Sequence, residues 1–598
     1  MKARMKKITA LLLSSAMAVS MLAGCGSSGN EAAKSDGGAD NAAPKNQEAQ
    51  DTQGEAAEGG ESEGETEITF WCKDSLETGP QNTTIADAIA ERTGVRLNVV
   101  NGDAQKFKVL LAGGDLPGIV NSNYGDLGVD ANALLESGQL IPLDELIEEH
   151  APNLKERFAD AIEYSKEFLS NDGQLYYLPV QINKVTDKKV VDRSGANLAL
   201  YTRYDLYKQI GSPEIKSIDD YLNTLKAMQD AEPETADGKK TYAISGWSDW
   251  GLWMWTIPYQ AMAGVTNWSY GMCYDMVNKE PLATYYSEPF WDCMKYYNKA
   301  YNMGILDPEI FTQKYDNYMD KLKNGQTFVT YANWLYNTAN DTYAAAGEPE
   351  KGFEIIPTGL TYMYNAYEGE KPFGWAQDYP LALTKNCEDP VKAIKMIDYL
   401  FSEDGARLLN SGVEGVHWEV VDGVPQMTQE YRDNVAANPT YAQSEGFAYT
   451  KLSGLSSSQI LSDGYPSSLL KAAEEVKKSV TEVDRIFIAD SDTPDAEYAG
   501  QVIEAKIASG EYQLKTEMDL TPTLIKEPSD ETKNLSAQVD EYVKVGVADV
   551  IMAPEAEFEA KKAAFIEAIE GKGYAEVVAE MEGIWGEAQK IAQEFAAE

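Results

Sequence analysis

The sequence predicts an α/β protein whose folded body is divided into two lobes, and three observations carry that prediction. Residues 67–120 run strand, helix, strand, helix, strand, the βαβ order of a largely parallel sheet covered by helices. The body beyond residue 66 holds 532 of the 598 residues, too many for one core and comfortable for two lobes of ordinary domain size. At 43% hydrophobic residues and a mean hydropathy of −0.40, it has the composition of a soluble globular chain.

The elements follow in order. Residues 67–72 pattern as a strand and 84–92 as a helix, with Thr84 and Asp87 at capping-box spacing and Gly94 as its stop, before a strand at 96–100. A helical 107–112 ends at Gly113, Gly114 and Pro117, and a short apolar strand follows at 118–120. The Asp172, Gly173 turn leads to a strand at 175–180, and another strand at 197–202 precedes a helix from Tyr204 that Gly211 stops. Ser217 and Asp220 make a second capping box before a helix at 221–230. Helices at 289–303 and 391–401 show the 3.6-residue apolar period, the second with Asp389 as N-cap and Pro390 at its first position. Asp422 and Gly423 form a two-residue hairpin between 416–421 and 424–427, and two helices, 555–570 and 574–598, close the chain.

Ahead of this body the chain carries Lys2, Arg4, Lys6 and Lys7, an uncharged stretch of 14 residues at 8–21, and Leu22, Ala23, Gly24, Cys25. That is a basic region, an apolar region and a small-residue cleavage site, and the apolar stretch is short of the roughly 20 residues a spanning helix needs. The Leu-Ala-Gly-Cys tetrapeptide resembles the bacterial lipobox, which makes 1–24 a lipoprotein signal peptide and Cys25 the lipidated first residue of the mature chain. Two acyl chains hold a protein stably where one does not, so the anchor is the only membrane contact expected. From 26 to 66 no aromatic, Leu, Ile, Val or Met occurs, so 25–66 is the lipidated Cys25 followed by a disordered acidic tether, 26–66, that cannot bury enough apolar surface to fold. As a flexible coil its 41 residues reach roughly 35 Å. The expected location is the outer face of the cell membrane.

Charge and residue counts exclude several functions. With 51 Lys and Arg against 96 Asp and Glu the formal charge is −45, and nucleic acid is a poor partner. Two histidines, His150 and His417, leave little for a zinc site or a His-dependent triad, and the spacings of Cys72, Cys273, Cys293 and Cys387 match no zinc pattern. Free buried thiols are expected, with a Cys273 to Cys293 disulfide as the alternative. No Gly-x-Ser-x-Gly, His-Glu-x-x-His or phosphate loop is present, so the chain does not read as an enzyme.

Seven passages stand in a recognisable order: EITFWCKD, ERTGV, LAGGDLPGIV, DGQLYYLPV, LYTRYDLYKQIGSP, LKNGQTFVTYANW and SGVEGVHWEV. Through them residues 67–598 resemble the family 1 extracellular solute-binding proteins of sugar importers, particularly the large lipoproteins of Gram-positive bacteria. The resemblance implies a periplasmic-binding-protein-like fold, two α/β lobes joined by a hinge around an interlobe ligand cleft. It implies lobe one at 67–180 plus 326–385, lobe two at 181–325 plus 386–598, and hinge segments at 179–183 and 327–333. It further implies a monomeric ABC importer receptor with permease subunits as partners and no cofactor. One departure is visible: where such relatives carry a calcium loop, this chain reads DAEPETADGKKTYAISGW, without the alternating oxygen ligands, so no structural metal is expected.

A pyranose offers a weakly polar C–H face and a rim of hydroxyls, so its site needs aromatic platforms flanked by planar donors and acceptors. Trp247, Trp250, Trp253, Trp255 and Trp268 fall within 22 residues, interleaved with Ser248, Asp249 and Tyr259. Ligands in open α/β lobes sit beyond the carboxyl ends of strands. That rule selects Lys73 and Asp74, Asn123 and Tyr124, and Asn333 and Trp334. Trp375, Gln377, Asp378 and Tyr379 form another aromatic and polar cluster, and Glu414 to Trp418 a third. Trp334 is the leading single candidate, because the family's matching tryptophan stacks on sugar; the alternative is a loop tryptophan plugging the interlobe surface. The favoured ligand is an oligosaccharide. A secreted glycan-active enzyme and a peptide-binding or receptor-accessory lipoprotein are the competing readings.

Overall fold

The computed structural model describes residues 64–71, 78–121, 131–182, 193–196, 198–251, 255–258, 263–267, 270–276, 278–356, 362–364, 381–438, 440–515 and 521–595. The leader, Cys25, Cys72 and the tether up to residue 63 lie outside them. Residues 63–598 form one compact unit, built on two sheets with separate cores.

The first sheet has Thr66–Trp71 at its centre, parallel to Val95–Val100 on one side and Ile119–Asn121 on the other. Strand alternation sends Ile68 and Phe70 into one core and Trp71, with Val120 and Phe107, into another on the opposite face. Gly94, at φ +70°, ends the helix Thr84–Thr93, where any side chain would be strained. The N-cap of that helix is Thr83, whose hydroxyl accepts from Ala86 N, and not Thr84, whose hydroxyl instead donates to Glu445. Residues 175–180 are not a strand: only Leu178 bridges a neighbour, Leu381, so the segment reaches the sheet edge as a single contact.

The second sheet is organised around Leu198–Arg203, buried at every position, and differs from the parallel expectation. Phe353–Ile355 and Val329–Ala332 both pair with it antiparallel, and Tyr362–Tyr364 joins antiparallel to it and parallel to Gln513–Lys515. Sheet membership crosses the lobe boundaries expected from sequence. Val329–Ala332 and Phe353–Ile355, placed by sequence in lobe one, are strands of this second sheet. Leu381–Leu383, from the same 326–385 stretch, pairs antiparallel with Ile119–Asn121 of the first sheet, whereas the helices Pro390–Leu400 and Glu403–Ser411, placed by sequence in lobe two, pack into the first sheet's core through Ile394, Ile397 and Leu409. The cause is that strand partners come from segments over a hundred residues apart, which local pattern does not encode. The segment 327–333, expected as a hinge, contains the strand Val329–Ala332, which pairs with Leu198–Arg203.

The helix Asp530–Ile551 packs on Glu288–Asn302, with Tyr574–Phe595 completing the C-terminal layer of the second core. That last helix also meets the first lobe, where Tyr164, fully buried, packs among Leu524, Ala588 and Ala592. Cys273, Cys293 and Cys387 are buried free thiols, and the Cys273 to Cys293 disulfide is absent.

Candidate functional site

The strand Val329–Ala332 is buried at all four positions, and its carboxyl end runs into the helix Asn333–Ala345 without a side-chain cap. Asn333 and Trp334 therefore stand at the rim of the second sheet, where α/β lobes present ligand groups. Trp334 is 38% exposed, and Trp250 is 46% exposed. Large indoles left open to water in this way mark contact surfaces more than they mark packing.

Tyr315 brings the two together. Ser248 N donates to Gln313 O at 2.9 Å, and Asp249 Oδ1 accepts from Tyr315 N at 2.9 Å, so residues 248–250 lie alongside 313–315. Trp250 then stacks on the Tyr315 ring, centroids 4.6 Å apart and planes 18° apart. Trp247, fully buried, supports both from below with edge contacts at 5.2 Å. Burial pushes the Tyr315 phenol up, the neighbouring Asp316 adds to it, and the Trp334 indole N–H, donated to the phenol oxygen, pulls the other way. The phenol stays neutral. Beneath this surface Ser245 donates to Asp307 at 2.6 Å, Gln313 Nε2 donates to Ser245 at 2.8 Å, and Lys321 pairs with the buried Asp307 at 2.6 Å, fixing both segments.

The helix carrying Trp334 is anchored by a buried polar cluster. Tyr336 donates to Asp484 Oδ1 at 2.5 Å, with Glu354 Oε1 3.1 Å from the same hydroxyl, and Arg193 binds Asp484 Oδ2 through Nε at 3.1 Å and Nη2 at 2.9 Å. Burial pushes the Asp484 carboxyl up, but the Arg193 charge together with hydrogen bonds from Glu354, Tyr336 and Thr481 outweighs it and holds Asp484 below its usual value. Burial, and then the Asp484 charge, push Glu354 well above the carboxylate range.

Of the residues selected from sequence, Asp249 and Trp250 meet Tyr315 through its backbone N and its ring, and Asn333 and Trp334 open the helix that follows Val329–Ala332. Lys73, Asp74, Asn123, Tyr124, Trp253, Trp268, Tyr259, Trp375, Gln377, Asp378 and Tyr379 lie outside the described residues. Trp255, 5% exposed, is a core residue stacked on Phe311. The hairpin cluster is separate. Trp418 donates its indole N–H to Gly412 O at 3.0 Å and lies under the Arg407 guanidinium at 5.6 Å, packed in the first lobe with Met427 and Tyr431. Glu414 is exposed beside it. Tyr315 was not selectable from sequence, because Tyr315, Tyr318, Met319 and Leu322 repeat at helical spacing and read as one core face. The DAEPETADGKK segment closes on itself, with Thr235 N donating to Lys239 O at 2.8 Å. No group of three or more His, Cys, Asp or Glu residues that could hold a metal occurs among the described residues.

Comparison with known proteins places this geometry in a lineage. The chain is 25% identical over 283 residues to the fructooligosaccharide ABC transporter substrate-binding protein FusA of Streptococcus pneumoniae, covering 44% of this chain and 49% of that one. It is 20% identical over 333 residues to the lipoprotein LipO of Bacillus subtilis, covering 51% and 61%. These sequence matches thus span between half and about three fifths of the relatives' lengths. The solved structure of S. pneumoniae FusA in complex with kestose superimposes over 88% of this chain and 100% of its own, with a TM-score of 0.59 at 16% identity, which establishes the shared fold. The family described as bacterial extracellular solute-binding protein matches residues 78–407, more than half of the chain. This protein belongs to the family of bacterial extracellular solute-binding proteins.

Proposed function

We propose that this chain is an exported, lipid-anchored receptor that captures an oligosaccharide and delivers it to an ABC permease. The observation that carries the ligand class is the pair of exposed indoles, Trp334 at the end of a strand of the second sheet and Trp250 stacked on Tyr315, with the Asp249 carboxylate next to Trp250 holding the Tyr315 backbone. A flat apolar face beside a planar acceptor is what a sugar ring requires. Trp334, Asn333, Asp249 and Trp250 are the second lobe's ligand contacts in this reading. Lys73, Asp74, Asn123 and Tyr124, which follow first-lobe strands in sequence, are the first lobe's. The lobes themselves are best drawn as 67–182 with 381–478, and 193–356 with 482–595.

Support for the importer role comes from family membership and from FusA, whose name describes a fructooligosaccharide ABC transporter protein. Support for the anchor comes from the Leu22 to Cys25 lipobox and the tether. The test is a thermal-shift screen of plant and host oligosaccharides against peptides. A ligand at 100 times its dissociation constant adds about 2.7 kcal/mol of stability. Stabilisation by an oligosaccharide supports the reading, and stabilisation by peptides alone replaces it with a peptide receptor.

A further inference from the structure

Resting on the proposed sugar-binding reading, we infer that Arg193 is a positioning residue whose guanidinium ties two of the chain's passages between the lobes to the helix that opens with Asn333 and Trp334. The chain leaves the first core after Ile182 and enters the second by Ala196, with Arg193 between them. It passes again between Glu475, which pairs with Arg432 on the first lobe's side, and Val483 of the second core, with Thr481 between them and Asp484 next in sequence. Each nitrogen of the Arg193 side chain has an acceptor. Nε and Nη2 donate to Asp484 Oδ2 at 3.1 and 2.9 Å, Nη2 stands 3.4 Å from Thr481 Oγ1, and Nη1 donates to Asp341 Oδ1 at 2.8 Å. The guanidinium also lies over the Tyr336 ring, 5.7 Å from its centroid. Asp341 and Tyr336 belong to the helix Asn333–Ala345, and the Arg193 carbonyl accepts from Gly500 N at 2.7 Å. Residues 148 and 291 positions away in sequence thus meet on one side chain that is 6% exposed.

A planar fork with donors fixed in direction holds these acceptors at once, which the point charge of a lysine cannot do. The Asp341 side chain is 60% exposed and solvated, so it has no need of a buried partner, and its bond to Arg193 acts on where the helix sits. Asn333 and Trp334 stand about two turns ahead of Asp341 on that helix. A helix start that is already fixed costs a ligand no ordering. Releasing it lowers affinity for every ligand by one common factor, because Arg193 and Asp341 act through the helix and not through the ligand.

Two variants separate this role from plain stability. Arg193→Lys keeps the charge beside Asp484 and loses the fork, and Asp341→Ala cuts only the arm to the helix. Hydrogen exchange of the unliganded proteins is read by mass spectrometry over 193–203, 333–345 and 480–503, and calorimetry then titrates kestose, maltotriose, cellotriose and xylotriose. In Arg193→Lys exchange should rise in all three regions together, and in Asp341→Ala over 333–345 alone. Every trisaccharide that binds should lose about three- to tenfold in affinity in Asp341→Ala, the range of one lost hydrogen bond, by the same factor and at an unchanged melting temperature. A rise confined to 193–203 in Arg193→Lys overturns the tie. If Arg193→Lys does not fold, Asp341→Ala decides, and wild-type exchange over 333–345 in that variant overturns the tie. Raised exchange with unchanged affinity overturns the positioning role. If no sugar binds the wild-type protein, the sugar-receptor reading is what fails and positioning falls with it, while exchange still decides whether Arg193 ties the helix to the passages.

Discussion

The Tyr336 hydroxyl donates to Asp484 Oδ1 at 2.5 Å while standing 3.1 Å from Glu354 Oε1, and one phenol proton cannot serve both carboxyl groups. Arg193 supplies a single positive charge, directed at Asp484. The second acid, in a pocket closed to water, therefore keeps its own proton and donates it to Asp484, in line with the upward shift that burial imposes on Glu354.

This arrangement gives a pH dependence of definite sign. Glu354 holds a proton in the folded state that it loses in the unfolded chain above its ordinary value of 4.5. Its contribution is complete below that pH and declines as pH rises toward the folded value. Asp484, held below 3.8, contributes in the opposite sense and loses its share only in acid. Glu354→Gln, whose amide can still donate to Asp484, should leave the fold intact and flatten the fall in melting temperature between pH 5 and pH 9. Parallel melting curves for the two proteins would mean that Glu354 is ionised.

His417 is the corresponding base. It is fully buried, accepts from Val413 N through Nδ1 at 2.9 Å, and so carries its proton on Nε2, 3.3 Å from Glu445. Burial, only partly offset by Glu445, holds its pKa below 6.5. The unfolded ring gains a proton as pH falls through 6.5 and the folded ring does not, so its contribution is lost on acidification. Histidine ring NMR, with His417→Asn assigning the signal, should show no titration of His417 between pH 7.5 and pH 6.5. A midpoint at or above 6.5 contradicts the neutral tautomer.

Asn298 closes the C-terminal layer. Fully buried, it donates through Nδ2 to Val550 O at 3.2 Å, Ile551 O at 3.0 Å and Ala553 O at 2.7 Å, satisfying carbonyls at the end of the helix Asp530–Ile551. Asn298→Leu should cost about 1–3 kcal/mol, the penalty of orphaned buried carbonyls. Denaturant unfolding measures it, and sugar affinity serves as the control that stays put.

Two tryptophans three residues apart should behave in opposite ways. Trp250→Ala should weaken oligosaccharide binding by about 1–3 kcal/mol with little change in melting temperature. Trp247→Ala, at a fully buried position, should destabilise the fold by about 3–5 kcal/mol. Calorimetric titration and thermal melting of the two variants separate the roles.

What the sequence conveyed was what is local. The Asp422, Gly423 hairpin forms with φ of +52° and +84°, the signature of the turn those residues favour, and the helix Pro390–Leu400 starts on Asp389 as its spacing predicts. Trp334 at the end of its strand was legible because the strand's apolar run ends there. The pairing of Val329–Ala332 with Leu198–Arg203 was not, since long-range packing selects it. Nor was Tyr315, whose apolar spacing is that of a core face while its phenol oxygen serves the surface. The adjacent threonines Thr83 and Thr84 show the limit of motif spacing: either could cap, and contact with Glu445 decides.

The most direct test of sugar capture at the Trp250 and Trp334 platform is calorimetric titration of the tightest-binding oligosaccharide into the wild-type protein and a Trp250→Ala, Trp334→Ala double variant. Two lost stacking contacts predict a loss of affinity of about a hundredfold or more with the fold intact. A double variant that binds the same oligosaccharide as tightly as the wild-type protein would place the ligand elsewhere and contradict the account.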